Sequence, residues 1–172
     1  MRYLLSRPPA ARGGWGTANV SLVNNAVDAG SSIANAFDGD AATDLILAND
    51  ANAWAAGNGT PVELTFAFTG RGNVRQVQLQ RSLTFGSTAN FAGRVALLSS
   101  IDGATWAQQG TVANVIDQNV APGGMAAIDF GTGGPSEAWW RLRIWSEFGN
   151  RMAFARIILA DAIGGPSVVV LS

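Results

Sequence analysis

Apolar and polar side chains alternate along several short stretches of this chain. Residues 62–68 (VELTFAF) place apolar side chains two positions apart, and this period puts them on one face of a β-strand. Residues 73–81 (NVRQVQLQR) repeat the pattern and predict that Val74, Val77 and Leu79 face inward. The pattern slips by one residue near Arg75, and a β-bulge could absorb this slip. Both stretches therefore indicate half-buried strands.

Further short strands are predicted between turn-forming sequences. They cover residues 19–23, 94–99, 105–112, 125–130, 138–145 and 154–160. The intervening sequences contain Asp-Gly, Pro-Gly or Gly-Gly, which favour turns. Residues 31–58 are rich in turn formers and predict mostly loop. Since no stretch has a convincing helical period, the pattern predicts an all-β sandwich or barrel with about eight main strands.

The two ends of the chain lack this alternation. Residues 1–16 contain three arginines, two prolines and three glycines, and they predict an extended arm with a local charge of +3. A frayed terminus is the open alternative. Residues 164–172 predict a tail in which 167–171 form either a last strand of the sandwich or a strand added to a neighbouring subunit. One β-sandwich domain over residues 17–163 remains between them.

Composition narrows the possible chemistry. The chain has 172 residues, 48% of them hydrophobic and 13% charged, which predicts one folded domain. It contains no cysteine and no histidine, so disulfides, thiolate metal sites and the commonest general base are excluded. The net charge of −1 makes nucleic acid an unsuitable partner. No apolar run reaches the roughly 18 residues of a membrane helix. We therefore expect a binding protein rather than an enzyme, without membrane insertion.

The stretch at 138–145 (AWWRLRIW) presents two different faces. In a strand, Trp140 shares a face with Leu142 and Ile144, and this face is predicted to be core. The opposite face presents two tryptophans flanked by arginines: Trp139, Arg141, Arg143 and Trp145. Such a face is either covered by the chain itself or contacts another chain, and the sequence favours a subunit contact.

Three segments, in this order, resemble the discoidin family, known from coagulation-factor C-type domains and from family 32 carbohydrate-binding modules. They are NAFDGDAAT at 35–43, RVALLSSIDGATW at 94–106, and AWWRLRIW followed by FARIILADA at 138–162. The resemblance spans residues 33–162. It implies a galactose-binding-like jelly-roll sandwich that is non-catalytic and binds carbohydrate.

The resemblance also implies a structural calcium ion in the Asp-Gly-Asp loop. Its candidate ligands are Asp38, Asp40 and Thr43, whose oxygen atoms suit this cation. Where the family offers a glutamate near the start of its last strand, this sequence has Arg156, and an arginine cannot coordinate a cation. The alternative is that Arg156 pairs with Asp38 or Asp40 and replaces the metal by a charge-assisted bond.

The family places its sugar-binding groups in loops at one end of the sandwich, which correspond here to residues 49–58, 82–91 and 147–152. Aromatic rings stack on pyranose faces there, and planar polar groups bond the hydroxyls. The candidates implied in this sequence are Asn52, Trp54, Arg81, Phe85, Asn90, Phe91, Glu147, Asn150 and Arg151. For each of them a structural role is the open alternative, and Trp54 and Phe91 could equally be core plugs beneath a loop.

The segments on either side of the sandwich predict a narrower function. The apolar group near the start is too short for a signal-peptide core, and the arm and tail add possible contacts. These features predict a structural component of a phage-like particle, a head spike or tail fibre, made in the cytoplasm and displayed on the virion. It would attach to host surface polysaccharide as a homo-oligomer, with arm and tail binding other virion subunits. A purely structural virion adaptor and a cytoplasmic enzyme subunit are the alternatives.

Overall fold

The computed structural model of the chain describes residues 18–48, 59–84, 91–115, 118–131, 134–146 and 151–161. These residues form nine strands and one short 3₁₀ helix at Ile33–Ala36. The strands are β1 (Ala18–Val23), β2 (Leu45–Ile46), β3 (Val62–Gly72), β4 (Gln76–Arg81), β5 (Ala92–Ser100), β6 (Ala107–Asn114), β7 (Met125–Asp129), β8 (Glu137–Ser146) and β9 (Ala153–Ala160).

The strands build two sheets. The five-stranded sheet has the order β1-β3-β8-β5-β6, and the four-stranded sheet has the order β2-β9-β4-β7. Every neighbouring pair is antiparallel. This arrangement confirms the predicted all-β, galactose-binding-like jelly-roll sandwich. All eight predicted strands are present, with boundaries shifted by a few residues.

The ninth strand, β2, lies in the region that was predicted to be loop. It has two residues, Leu45 and Ile46, which pair with Phe154 and Ala153 of β9. Such a short strand leaves no periodic signal in the sequence, because its strand conformation depends on pairing with a segment more than a hundred residues away.

The inner faces of both sheets form one core. The alternating residues of β3 face inward, and Phe66, which is fully buried, meets Phe37 edge to face at 5.9 Å between ring centroids. Trp140 of β8 lies opposite Phe66 and is also fully buried, as predicted. Its indole N–H donates to the carbonyl oxygens of Gly72 and Glu137, each at 3.1 Å. A large aromatic side chain thus enters the core without an unsatisfied donor.

The slip of phase near Arg75 coincides with a strand boundary and not with a bulge. Val74, Val77 and Leu79 are all buried, as expected, but β4 begins only at Gln76. Arg75 connects the neighbouring strands: its N–H donates to Ala160 O at 2.8 Å and its carbonyl accepts from Phe130 N at 2.7 Å. The change of phase therefore occurs just before β4. The register shift within β4 lies at its other end.

Trp145 on the outer face of the five-stranded sheet is covered by the chain itself. It is 7% exposed and packs with Ala96 and Leu98, against which the partly buried Trp106 and Val112 also pack. Its indole N–H donates to Gly59 O at 2.7 Å. The expectation that this face exposes two tryptophans is therefore wrong for Trp145.

Trp139 is also partly covered. A Cβ placed on Gly103, in the turn after β5, would lie 2.9 Å from the Trp139 ring, so this turn packs directly on the indole. Of the two alternatives left open, the described residues favour a face covered by its own chain, and a contact with another subunit stays a prediction.

The predicted arm at 1–16, the tail at 164–172 and the possible strand at 167–171 lie outside the described residues. The division of the chain into arm, sandwich and tail thus stays a prediction. Within the described part of the chain, no helix is long and apolar enough to cross a membrane.

Candidate functional site

The ends of β2 and β4 and the start of β9 lie together at one end of the sandwich. Ile46 at the end of β2 pairs with Ala153 at the start of β9, and Arg81 at the end of β4 pairs with the adjacent Phe154. The β8–β9 connection must reach the same place, because β9 begins there. We call this the loop end, and its connections are residues 49–58, 82–91 and 147–152. The topology thus brings together the strand ends that flank the three segments in which the resemblance places the sugar-binding groups.

Arg151 is held at the loop end by an ion pair. Its Nη1 lies 2.9 Å from Oδ2 of Asp28, and the two side chains are 39% and 34% exposed. The backbone N–H of Asp28 donates to Ile46 O at 2.9 Å, which fixes the carboxylate beside the end of β2. An exposed pair of this kind contributes only about 0–1 kcal/mol to stability. Its effect is to orient a partly exposed guanidinium beside the loops.

Arg81 and Phe91, two further sugar-binding candidates, lie beneath the loop end. Arg81 is 4% exposed, and its Nη1 donates to Val120 O at 2.8 Å. Phe91 is 6% exposed, with its ring centroid 5.7 Å from that of Phe154. Because both side chains are buried, a structural role beneath the loops is favoured over direct contact with a sugar. For Phe91 this is the core-plug alternative that the sequence left open.

The remaining sugar-binding candidates fall outside the described residues. They are Asn52, Trp54, Phe85, Asn90, Glu147 and Asn150. Their assignment to a sugar site stays a prediction, and the fold supplies only the position of the strand ends that flank them.

A buried carboxylate anchors the start of the 82–91 loop. Asp44 Oδ2 accepts hydrogen bonds from Ser82 Oγ at 2.7 Å and Thr84 Oγ1 at 3.0 Å. Asp44 is 9% exposed, and within the described residues its Oδ1 is buried without a hydrogen-bond partner. The backbone carbonyl of Asp44 accepts from Ser31 Oγ at 2.7 Å and Asn35 Nδ2 at 2.9 Å. Asp44 therefore ties the loop end to the segment between β1 and β2.

The Asp-Gly-Asp loop is held by its own hydrogen bonds. Asp38 Oδ1 accepts from the N–H of Asp40 at 2.8 Å, and Asp38 Oδ2 accepts from Thr43 Oγ1 at 2.7 Å. Asp40 Oδ1 accepts from the N–H of Ala42 at 2.9 Å. The predicted ligands Asp38, Asp40 and Thr43 thus lie together, but they are turned toward donors within the loop.

Arg156 reaches this loop from β9. Its Nη2 donates to the carbonyl oxygen of Gly39, which lies between the two aspartates. The predicted partner was an aspartate carboxylate, so the contact is made with the same loop but with a different atom. In the described residues, no three acidic, histidine or cysteine side chains lie close enough together to hold a metal ion. A guanidinium at a loop carbonyl does not fit a calcium site, and calcium binding stays a prediction of the resemblance.

Sequence reasoning missed the anchoring residues of the loop end, which are Asp28, Asp44, Ser82 and Thr84. Asp44 follows the Asp-Gly-Asp loop directly and precedes the apolar residues of β2, and a carboxylate at the start of a buried segment is a usable signal. Its partner Ser82 left no local signal, because Ser82 is 38 residues away along the chain.

At the opposite end of the sandwich, Asp102 stabilises the turn between β5 and β6. Hydrogen bonds from the backbone N–H groups of Thr105 and Ala104 and from the Ser100 hydroxyl hold the pKa of Asp102 below its ordinary value of 3.8. The carboxylate is therefore ionised over the whole neutral and mildly acidic range.

Comparison with known proteins identifies the fold through structure rather than sequence. No family model matches the chain, and no curated protein matches it. Many solved structures are similar. The family 32 module of NanJ from Clostridium perfringens, in complex with galactose, has a TM-score of 0.59 and 10% identity, covering 83% of this chain and 92% of that one.

Two more solved structures extend this similarity. An F5/8 type C domain from Bacteroides fragilis has a TM-score of 0.63 and 17% identity, covering 85% of this chain and 96% of that one. A pectin-binding carbohydrate-binding module has a TM-score of 0.58 and 15% identity, covering 88% of this chain and 96% of that one. The chain therefore has the discoidin-like β-sandwich fold that family 32 carbohydrate-binding modules and F5/8 type C domains share.

Proposed function

We propose that this chain is a non-catalytic carbohydrate-binding module and that its sugar site lies at the loop end. The observation that carries this proposal is that the ends of β2 and β4 meet the start of β9, so that the described residues flanking 49–58, 82–91 and 147–152 lie at one end of a discoidin-like sandwich. Solved structures with the same fold include one in complex with galactose and one described as pectin-binding.

The anchoring contacts support binding. Asp28 orients Arg151, and Asp44 fixes the start of the 82–91 loop through two hydroxyl groups. A binding site whose polar groups are fixed in advance loses less conformational entropy when a ligand enters. Arg151 supplies the planar, charged donor that suits sugar hydroxyls.

The same contacts argue against hydrolysis. Glycoside hydrolysis needs a pair of carboxyl groups free to act as acid and as base or nucleophile. Two described carboxylates at the loop end, Asp28 and Asp44, are already engaged by Arg151 and by the hydroxyls of Ser82 and Thr84. This arrangement suits a role in shape and orientation.

A glycan array followed by titration calorimetry tests the proposal. We expect the chain to retain galactose-containing glycans, and Arg151→Ala to weaken that binding by about tenfold, the effect of losing one good polar contact. Arg71→Ala is the matched control, because Arg71 is exposed near the end of β3 that lies away from the loops. Absence of glycan binding, or an equal loss in both variants, would refute the site.

Attachment of a phage-like particle to host polysaccharide is the narrower form of this proposal. It predicts that purified particles contain the protein and that the assembled protein retains host polysaccharide. Incorporation into particles without any glycan binding would favour the structural-adaptor alternative. Deletion of residues 1–16 separates the two roles, since an arm used only for assembly is dispensable for glycan binding.

A further inference from the structure

One carboxylate organises two arginines on the outer face of the five-stranded sheet. Glu63 Oε2 lies 3.0 Å from Arg141 Nη1, and Glu63 Oε1 lies 2.7 Å from Arg143 Nε. The Glu63 side chain is only 10% exposed. Each carboxylate oxygen of Glu63 contacts one arginine, and its single negative charge balances one of the two positive charges. This group therefore carries one excess positive charge in a chain whose net charge is −1.

Arg141 has a structural role in the group. Its Nε donates to Thr65 Oγ1 at 3.0 Å, and its Cζ lies 4.0 Å from the ring centroid of Trp106. Its side chain is 19% exposed. Hydrogen bonds on one side and a cation–π contact on the other fix this guanidinium in place.

Arg143 is the accessible member of the pair. Its side chain is 35% exposed, and its Nε donates to Glu63 Oε1. Within the described residues, nothing accepts a hydrogen bond from its two Nη nitrogens. Because Glu63 fixes the Nε edge, the planar Nη edge is left for a ligand. That edge matches the two oxygens of a carboxylate in a bidentate pair.

An apolar cluster lies directly beside this guanidinium. Ala96, the cross-strand neighbour of Arg143, is buried in it with Leu98 and Trp145, and the partly buried Trp106 packs on top. Trp106 is therefore the partly accessible indole next to the arginine pair, and an indole beside a charged planar group suits a pyranose ring that carries a carboxylate.

We propose that the outer face around Arg143 is a second binding site and that it takes an acidic polysaccharide through its uronate carboxylates. Charge complementarity supports this ligand, since the group carries excess positive charge and Glu63 holds the Arg143 guanidinium in place. Arg143 lies on the sheet and takes no part in the loop-end contacts of Arg151 and Asp44, so its substitution tests this site apart from the loop end.

Titration with polygalacturonate and, separately, with neutral galactan tests the proposal. The wild-type chain binds polygalacturonate with an affinity that falls as salt increases. Arg143→Gln reduces this affinity by about tenfold or more, and Arg143→Lys restores the charge but recovers only part of the affinity, because lysine lacks the bidentate edge. Binding of galactan is unchanged in both variants.

Two controls separate this site from the alternatives. Arg71→Gln removes one exposed arginine elsewhere and leaves polygalacturonate binding unchanged, whereas an equal loss there would mean unspecific charge attraction and would overturn the proposal. Arg151→Ala tests the loop end. If only this variant loses galactan binding and it still binds polygalacturonate, the proposal for the outer face stands. The proposal is also overturned if the wild-type chain does not bind polygalacturonate, or if the Arg143→Gln variant binds it with wild-type affinity. Far-ultraviolet circular dichroism confirms that each variant is folded.

Discussion

Arg156 on β9 donates a hydrogen bond from Nη2 to the carbonyl oxygen of Gly39, across 117 residues of sequence. Gly39 has a φ of +83°, so glycine suits the turn that presents this carbonyl to the arginine. The contact joins the Asp-Gly-Asp loop to the four-stranded sheet. It puts a fixed positive charge where the resemblance implies a calcium ion.

We propose that Arg156 holds this loop without a metal. Thermal unfolding is then expected to be the same in calcium and in a chelator. Arg156→Gln lowers the free energy of unfolding by about 1.5–3 kcal/mol, the usual contribution of a hydrogen bond with a charged donor. An increase in the wild-type melting temperature on addition of calcium would contradict the proposal and support the metal instead.

The buried carboxylate of Asp44 is expected to stabilise both the fold and the loop end. Asp44→Ala leaves the hydroxyls of Ser82 and Thr84 without their acceptor and lowers the free energy of unfolding by about 2–3 kcal/mol. Ser82→Ala removes only one donor and costs less, about 1 kcal/mol. Urea unfolding of the two variants measures the difference. Equal values would mean that Thr84 and the remaining surroundings of Asp44 contribute nothing.

The turn at Gly103 offers a test of the packing on Trp139. Gly103→Ala introduces both a left-handed alanine and a contact 2.9 Å from the indole ring. Gly131→Ala is the matched control, because its φ is also positive and nothing lies within 4 Å of the added Cβ. We expect about 1–2 kcal/mol of destabilisation in the control from the backbone alone and a larger loss at Gly103. The near-ultraviolet circular dichroism of the tryptophans should change only for Gly103→Ala.

Acidification is expected to weaken the turn that Asp102 stabilises. Its pKa is lowered in the folded state, first by the N–H groups of Thr105 and Ala104. The resulting stabilisation is fully present above the ordinary pKa of 3.8 and is lost as the pH falls through the lower, folded-state value. The stability difference between the wild type and Asp102→Asn should therefore shrink as the pH falls below about 4. A difference that stays constant over this range would contradict the assignment.

Alternation along the chain predicted most of the architecture correctly. Strands β3 and β8 could be located because a two-residue period is a local property that survives without knowledge of the partner strand. The same reasoning identified Trp140 as core, since Leu142 and Ile144 share its face. The discoidin-like fold followed from short motifs in a particular order.

Contacts between distant segments could not be predicted. Trp145 is covered by residues of β5, by Trp106 just before β6 and by Val112 within it. The hydroxyl donors to the Asp44 carboxylate, Ser82 and Thr84, lie in the segment that follows β4. Arg156 was expected at an aspartate, but the loop turns a carbonyl toward it instead.

The sequence by itself determined which stretches are strands and which of their faces are apolar, because those properties depend on near neighbours in the chain. Only the tertiary structure decided that Glu63 holds Arg141 and Arg143, that Asp28 holds Arg151, and that β2 exists. Each of these features depends on the pairing of strands that are far apart in sequence, and the side chains meet only once both sheets have formed.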